Sequence, residues 1–121
     1  METGVDKGLG SCVLSAALLR NHAEGHPGRY LGTDINPQAG WLFQGPYRKA
    51  GQILYGDSIE SLQCLEGPID LFINDSDHSA EYEEREYACI TSKSHRVRNW
   101  RAKKNVICGC TMKTKGRSCE N

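Results

Sequence analysis

Short apolar strands alternate with helical segments along the first 90 residues, and this alternation limits most strongly the folds open to the chain. The predicted strands are 29–35, 52–55 and 69–73, and the predicted helices are 12–19, 38–43, 59–65 and 80–90. A strand that returns to its sheet through a helix lies parallel to its neighbour, with a right-handed crossover. The sequence therefore predicts a three-layer α/β fold with a parallel sheet.

A glycine-rich segment leads into the first helix. Gly4, Gly8 and Gly10 follow Glu2 and precede the apolar stretch 12–19. Glycine lets the backbone turn sharply, take a positive φ and approach a ligand closely. The N–H groups at the start of the helix point to the same place. This pattern is typical of a nucleotide-binding loop, although an ordinary strand-to-helix turn gives the same residues.

Acidic residues end the predicted strands. Asp34 follows one strand, Asp57 the next, and the run 74–78 the last, with Asp34 standing 24 positions beyond Gly10. Ligands of such sheets bind outside the carboxyl ends of the strands, so these residues are expected at one edge. Each acid taken alone is equally explained as a helix cap, notably Asp57 and Asp77. The glycines and Asp34 together favour a nucleotide-type cofactor.

Length and composition indicate one cytoplasmic domain. The chain has 121 residues, enough for a single hydrophobic core. It has no apolar run of about 20 residues and no basic start followed by an apolar stretch, so the sequence predicts neither a membrane span nor a secretion signal. Its six cysteines form no framework of a small secreted domain and are expected to be thiols, with Cys12, Cys64 and Cys89 in the core.

The neutral overall charge hides a division between two segments. Residues 1–90 hold six Lys/Arg and fourteen Asp/Glu, whereas residues 91–121 hold nine Lys/Arg and one Glu, so the net charges are −8 and +8. Such asymmetry is typical of a tail that binds a polyanion, or of two parts with different origins. A nucleic-acid arm around Trp100 is the less favoured interpretation, because basic runs are usually solvated tails.

Residues 1–90 resemble the class I S-adenosylmethionine-dependent methyltransferases of the small-molecule type. The resemblance rests on four segments: 2–10 with its acid and glycines, Asp34, 56–58, and 69–78 with its Asp-His ending. It implies a Rossmann-like fold and S-adenosylmethionine as the cofactor. The cofactor-binding residues it implies are Glu2, Gly4, Gly8, Gly10, Asp34, Ile35, Asp57, Ser58 and Asn74.

The resemblance also implies roles for these residues. The glycine loop faces the methionine moiety, and Glu2 helps to hold its amino end through water. Asp34 accepts hydrogen bonds from the ribose hydroxyls, as a carboxylate can from two vicinal donors. Ile35 packs on adenine, while Asp57 and Ser58 lie beside its exocyclic amine.

Asn74 and Asp75 are expected nearest the transferred methyl group. Methyl transfer depends mainly on in-line positioning, and a base is needed only for a poorly ionised acceptor. His78 is the candidate base and Asp75 its catalytic neighbour, although a helix-start histidine bonded to the backbone has the same sequence pattern. Asp75, Asp77 and His78 suit several divalent cations without selecting one, so no metal is assigned.

The resemblance ends near residue 90. Strand one is only partial before Gly4, and strands five to seven are not recognisable; 106–108 is the only strand-like cluster of the tail. We therefore divide the chain into a partial methyltransferase domain, 1–90, and a basic tail, 91–121. The charge change motivates the hypothesis of a truncated reading frame with an out-of-register tail. A locus in which neither alternative frame restores a Gly-Gly turn and an apolar strand would contradict it.

The expected function is methyl transfer to a small-molecule hydroxyl or similar nucleophile, with activity in doubt because of the missing strands. One alternative is an NAD-dependent oxidoreductase fragment, but the spacing Gly-x-x-x-Gly-x-Gly favours the methyl donor. Another is a non-catalytic binding protein whose basic tail contacts nucleic acid. A zinc site in the tail has weak support, since its spacing lacks a paired C-x-x-C. The residues concerned are His95, Cys108, Cys110 and Cys119.

Overall fold

A five-stranded sheet organises the part of the chain that the structure describes. The computed structural model describes residues 1–67, 69–93 and 107–108. The strands are β1 (Glu2–Thr3), β2 (Tyr30–Asp34), β3 (Gly51–Tyr55), β4 (Phe72–Asn74) and β5 (Ile107–Cys108). Their order in the sheet is β3-β2-β1-β4-β5; β1 to β4 are mutually parallel, and β5 is antiparallel to β4. The first four strands confirm the predicted parallel sheet.

Helices cover both faces of this sheet. They are α1 (Leu9–Ala23), α2 (Ser58–Cys64) and α3 (Ala80–Lys93). The Glu2 side chain meets α1, whereas that of the next residue, Thr3, meets α3. Because successive side chains of a strand point to opposite faces, α1 and α3 lie on opposite sides. The three-layer, Rossmann-like arrangement is thereby confirmed. None of the described helices is long and apolar enough to cross a membrane.

The apolar core lies between β4, α2 and α3. It consists of Leu62, Ile69, Phe72 and Ile90, which are at most 4% exposed. The ring of Tyr87 meets that of Phe72 edge to face, with 6.1 Å between centroids. Burial of this cluster fixes α2 and α3 against the sheet.

Helix α1 buries a different face from the one its apolar residues predict. Ser11 and Ser15 are completely buried, whereas Leu9 and Val13 are 68% and 63% exposed. The helix is therefore confirmed, but its apolar residues do not form the face that contacts the sheet. The reason lies underneath it, where the sheet presents the carboxylate of Glu2, which accepts a hydrogen bond from Ser11 Oγ at 3.1 Å. The buried serine hydroxyl at position 11 thus supplies a donor to a buried carboxylate.

The helix predicted at 38–43 is absent, and this segment consists of turns followed by a short 3₁₀ helix, Gly45–Lys49. Its backbone donors bond elsewhere: Gly40 N–H donates to Asp6 O at 2.6 Å, and Leu42 N–H to Lys7 O at 3.0 Å. Gly40 also takes a φ of 77°, which belongs to the left-handed region. Contacts with the loop after β1 therefore replace the helical hydrogen bonds.

Two further predictions need correction. The fourth strand spans only Phe72–Asn74, opposite the two residues of β1, and Ile69 enters the core just before the strand begins. The cluster 106–108, the only strand-like part of the tail in the sequence, contains β5, which is antiparallel to β4. Cys64 is exposed rather than in the core, and Cys12, Cys64 and Cys89 are thiols, as expected.

Candidate functional site at the carboxyl edge of the sheet

Backbone hydrogen bonds bring the ends of three strands together. Gly4 N–H donates to Thr33 O at 2.9 Å, next to the end of β2. Asp75 N–H donates to Thr3 O at 2.9 Å, which fixes the segment after β4 beside the end of β1. The glycine loop, Asp34 and the segment 74–78 consequently share the edge at which the topology predicts a ligand site.

The loop glycines allow close packing within the chain. Gly4 has a φ of 78°, and a Cβ there would overlap the carbonyl oxygen of Asp75. A Cβ on Gly8, whose φ is 92°, would lie 3.0 Å from the Cα of Gly40. At Gly10 the space is filled by the Glu2 carboxylate. Glycine is therefore required here for the chain's own contacts as well as for any approach of a ligand.

Asp34 anchors the glycine loop to the end of β2. Its Oδ2 accepts from Asp6 N–H at 2.9 Å, and its Oδ1 accepts from Asn36 N–H at 2.8 Å. Each oxygen keeps a second acceptor position. Ile35, immediately beyond it, is 81% exposed. The edge thus presents a fixed carboxylate beside an exposed apolar side chain.

Asp57 caps α2, which confirms its predicted N-cap role. Oδ1 accepts from the N–H groups of Ile59 and Glu60 at 2.8 and 3.1 Å, and Oδ2 accepts from Tyr82 OH at 3.2 Å. Ser58 is buried, and its hydroxyl donates to Glu86. Of the two residues expected beside a cofactor amine, Asp57 is thus the more accessible.

The segment after β4 carries an exposed histidine between two carboxylates. His78 Nε2 lies 3.6 Å from Asp75 Oδ1, and His78 Nδ1 lies 3.6 Å from Glu83 Oε1. The imidazole is 69% exposed, so solvent and small solutes reach it. Asp77 accepts from Ser79 N–H at 2.9 Å. Helix α3 begins at Ala80, the residue after Ser79. Asp77 therefore stabilises the turn before the helix and is not the helix cap that the sequence suggested.

A buried carboxylate, Glu86, lies against the ends of β1 and β4. Glu86 is completely buried on α3. Ser76 Oγ lies 3.0 Å from both of its oxygens, Asn74 Nδ2 donates to Oε2 at 2.6 Å, and Thr3 Oγ1 lies 3.5 Å from Oε2. With the bond from Ser58, four side chains from three segments converge on one carboxylate. Glu86 therefore links α3 to β1, to the start of α2 and to the end of β4.

Sequence reasoning missed Glu86. On α3, Glu86 lies midway between Tyr82 and Ile90, four residues from each. Residues four apart share a helix face. An acid on an otherwise apolar stripe was the available signal, because a buried carboxylate requires several donors.

Glu2 forms a second buried polar cluster on the opposite face of the sheet. Its Oε2 accepts from Tyr30 OH at 2.6 Å and from Ser11 Oγ at 3.1 Å, and Glu2 is 5% exposed. Burial raises the pKa of the Glu2 carboxyl, and the two hydrogen bonds only partly oppose that effect. Burial, followed by the hydrogen bond to Glu2, raises the pKa of the Tyr30 hydroxyl. Glu2 thus packs beneath α1.

The raised pKa of Glu2 predicts a specific pH dependence of stability. Above pH 4.5, the ordinary value, the unfolded chain ionises Glu2 before the folded chain does, so unfolding releases a proton. The wild type is therefore expected to lose stability relative to Glu2→Gln as pH rises from 4.5 through the raised pKa. Urea unfolding of both proteins between pH 4 and 8 measures this difference. A stability of the wild type relative to Glu2→Gln that stays constant, or that increases as pH rises, would contradict the prediction.

A groove of about 810 Å³ lies at the opposite, amino-terminal edge of the strands. It is lined by residues such as Leu14, Leu18, Leu31 and Ile69, and by none of the predicted site residues. Within the described part of the chain no three His, Cys, Asp or Glu side chains are grouped to hold a metal ion. The basic residues around Trp100 and the proposed tail zinc ligands, apart from the backbone of Cys108, lie outside the described residues.

Comparison with known proteins gives one match. A family model described as a methyltransferase domain matches residues 1–97, which is most of the chain. No curated protein and no solved structure matches. The matched range contains the glycine loop, Asp34, the segment 74–78 and Glu86, so the site described above lies entirely within the family's domain. The chain belongs to this family of methyltransferase-domain proteins.

Proposed function

We propose that this chain binds S-adenosylmethionine at the carboxyl edge of the sheet and transfers its methyl group to a small-molecule hydroxyl or similar nucleophile. One observation carries the proposal: the glycine loop, the Asp34 carboxylate and the Asn74–Asp75 segment are joined at that edge by backbone hydrogen bonds. Membership of a methyltransferase-domain family supports the reaction class.

The residues present fit such a cofactor. Asp34 holds its two carboxylate oxygens in place through backbone N–H groups and retains one acceptor position on each, which suits the vicinal hydroxyls of a ribose. Ile35 offers an exposed apolar surface for adenine. In this proposal Asp57 accepts a hydrogen bond from the adenine amine. The Ser58 hydroxyl does not contact the amine, because it donates to Glu86.

Bound S-adenosylmethionine would supply an electrophilic methyl group on a positively charged sulfur. The chain's task is then to place the acceptor in line and to remove its proton. In our proposal the proton that the acceptor hydroxyl gives up on methylation would pass to His78 Nε2. Asp75, 3.6 Å from that nitrogen, stabilises the imidazolium that results.

A thermal melt followed by far-UV circular dichroism tests cofactor binding. S-adenosylhomocysteine at about 100 times its dissociation constant adds about 2.7 kcal/mol of stability, which corresponds to a rise in Tm of about 10 °C. The matched variant Asp34→Asn keeps the side-chain size but removes one acceptor, so most of the rise is expected to disappear. A cooperative melt that NAD shifts and S-adenosylhomocysteine does not would favour an oxidoreductase instead. A melt that neither shifts would contradict the proposal.

The role of His78 is tested separately from binding. His78→Ala is expected to keep the stabilisation by S-adenosylhomocysteine. It should abolish transfer of label from methyl-labelled S-adenosylmethionine to the small-molecule fraction of a cell extract, since the acceptor loses its base. Transfer at the wild-type rate would exclude His78 as that base.

A further inference from the structure

The buried carboxylate of Glu86 determines which way the amide of Asn74 faces. A carboxylate that takes hydrogen bonds from hydroxyl and amide groups acts as an acceptor. Asn74 Nδ2 lies 2.6 Å from Glu86 Oε2, and the reversed amide would place two oxygens at that distance. The amide nitrogen is therefore held towards Glu86, and the carbonyl oxygen Oδ1 is turned away from it.

That carbonyl oxygen has an unmet hydrogen-bonding requirement. Asn74 Oδ1 is buried and accepts no hydrogen bond from the described part of the chain. A buried acceptor without a donor is costly, so such atoms in folded proteins usually meet a water molecule or a ligand. Asn74 ends β4 and pairs in register with Thr3, the last residue before the glycine loop. The oxygen thus belongs to the residue at which the proposed site begins.

We propose that Glu86 is a positioning residue that fixes the Asn74 amide so that Oδ1 accepts a hydrogen bond from the bound cofactor. This rests on the proposed function, because the donor is taken to be a group of S-adenosylmethionine or its product. The ammonium of the methionine moiety is the donor of suitable chemistry, since it carries three N–H bonds and only donates. Glu86 itself is buried under the strand ends and acts through Asn74.

The variant Glu86→Gln tests this arrangement in the full chain. The amide introduced at position 86 can donate to Asn74 Oδ1. The Asn74 amide can then rotate by 180°, which turns Oδ1 towards position 86. We expect a cooperative melt at a lower Tm and an affinity for S-adenosylhomocysteine reduced about five- to tenfold, as for loss of one hydrogen bond. Asn74→Ala should weaken binding by a similar factor, and the double variant by no more than either single change. Additive losses would overturn the proposal.

Ser76→Ala is the matched control. It removes a different hydrogen bond to Glu86 but leaves the Glu86 carboxylate, which accepts from Asn74 Nδ2 and so orients the Asn74 amide. Its Tm should fall while its affinity for S-adenosylhomocysteine stays within about twofold of the wild type. An equal loss of affinity in Ser76→Ala and Glu86→Gln would show that Glu86 acts only through general stability.

A ligand-free measurement separates this inference from the proposed function. In ¹⁵N-labelled wild-type protein the Asn74 side-chain amide protons should exchange slowly with solvent, because they are held by a buried carboxylate. Fast exchange of these protons would overturn the positioning role even if S-adenosylhomocysteine binds. If exchange is slow but the protein does not bind S-adenosylhomocysteine, the Asn74 amide is fixed as proposed. The cofactor would then not be the donor to its Oδ1. This test also stands if Glu86→Gln does not fold.

Discussion

Replacing Phe72 with alanine is expected to lower the free energy of unfolding by about 3–5 kcal/mol. Phe72 is completely buried at the centre of the cluster formed with Leu62, Ile69 and Ile90, and it meets Tyr87 edge to face. Truncation removes its apolar contacts and leaves a cavity, and both effects destabilise the fold. Net stabilities of about 5–15 kcal/mol are usual for domains, so a loss of this size takes a large share of the total. Urea unfolding at low temperature, with the midpoint as the readout, measures the change.

Leu9→Ala provides the control for Phe72→Ala. Leu9 is 68% exposed at the start of α1, and alanine is a better helix former than leucine. The change is therefore expected to alter stability by at most about 0.5 kcal/mol. If the two variants unfolded at the same urea concentration, the core could not lie between β4, α2 and α3.

The parts of the fold that the sequence predicts are those governed by local patterns. Strands β2 and β3 and helices α2 and α3 lie within three residues of their predicted limits, because apolar runs and turn residues mark both ends. Asp57 was recognisable as a cap since its hydrogen bonds reach only two and three residues ahead. The shared carboxyl edge followed from parallel topology alone.

Long-range contacts decide what the sequence does not predict. The segment 38–43 forms turns rather than a helix, because backbone carbonyls of Asp6 and Lys7, more than 30 residues earlier, accept its N–H groups. Helix α1 turns serines inward because Glu2 and Tyr30 form the surface below it. No local pattern contains either partner, so the apolar residues of α1 pointed to the wrong face.

The same limit applies to the candidate site. The residues that gather there were predicted from strand ends, but the partner that organises them was not. Glu86 reaches Thr3 across 83 positions and Ser58 across 28, separations at which spacing carries no information. The functions of Glu2, Asp34, Asn74, Asp75 and His78 in binding or catalysis remain predictions. Local sequence therefore indicates where a site lies, and tertiary contacts indicate how its side chains are held.

Gly4→Ala is expected to destabilise the chain by about 3–5 kcal/mol and to abolish stabilisation by S-adenosylhomocysteine. Two costs combine at this position. A φ of 78° is unfavourable for alanine, at about 1–3 kcal/mol, and the new Cβ would overlap the carbonyl oxygen of Asp75. To relieve this overlap, the segment after β4 has to move away from β1. That movement breaks the hydrogen bond from Asp75 N–H to Thr3 O. Urea unfolding and the ligand-induced rise in Tm report the two effects separately.

Gly25→Ala isolates the cost of the backbone conformation. Gly25 has a positive φ like that of Gly4, but a Cβ there would not meet another segment. Gly25 has a φ of 87°, and a Cβ there would meet nothing within 4 Å. Its expected loss is about 1–2 kcal/mol, with the rise in Tm on adding S-adenosylhomocysteine unchanged. The excess loss in Gly4→Ala then measures the contact between the glycine loop and the Asp75 segment. Equal losses in the two variants would mean that these segments do not touch, and the site would lack the junction on which the proposed function depends.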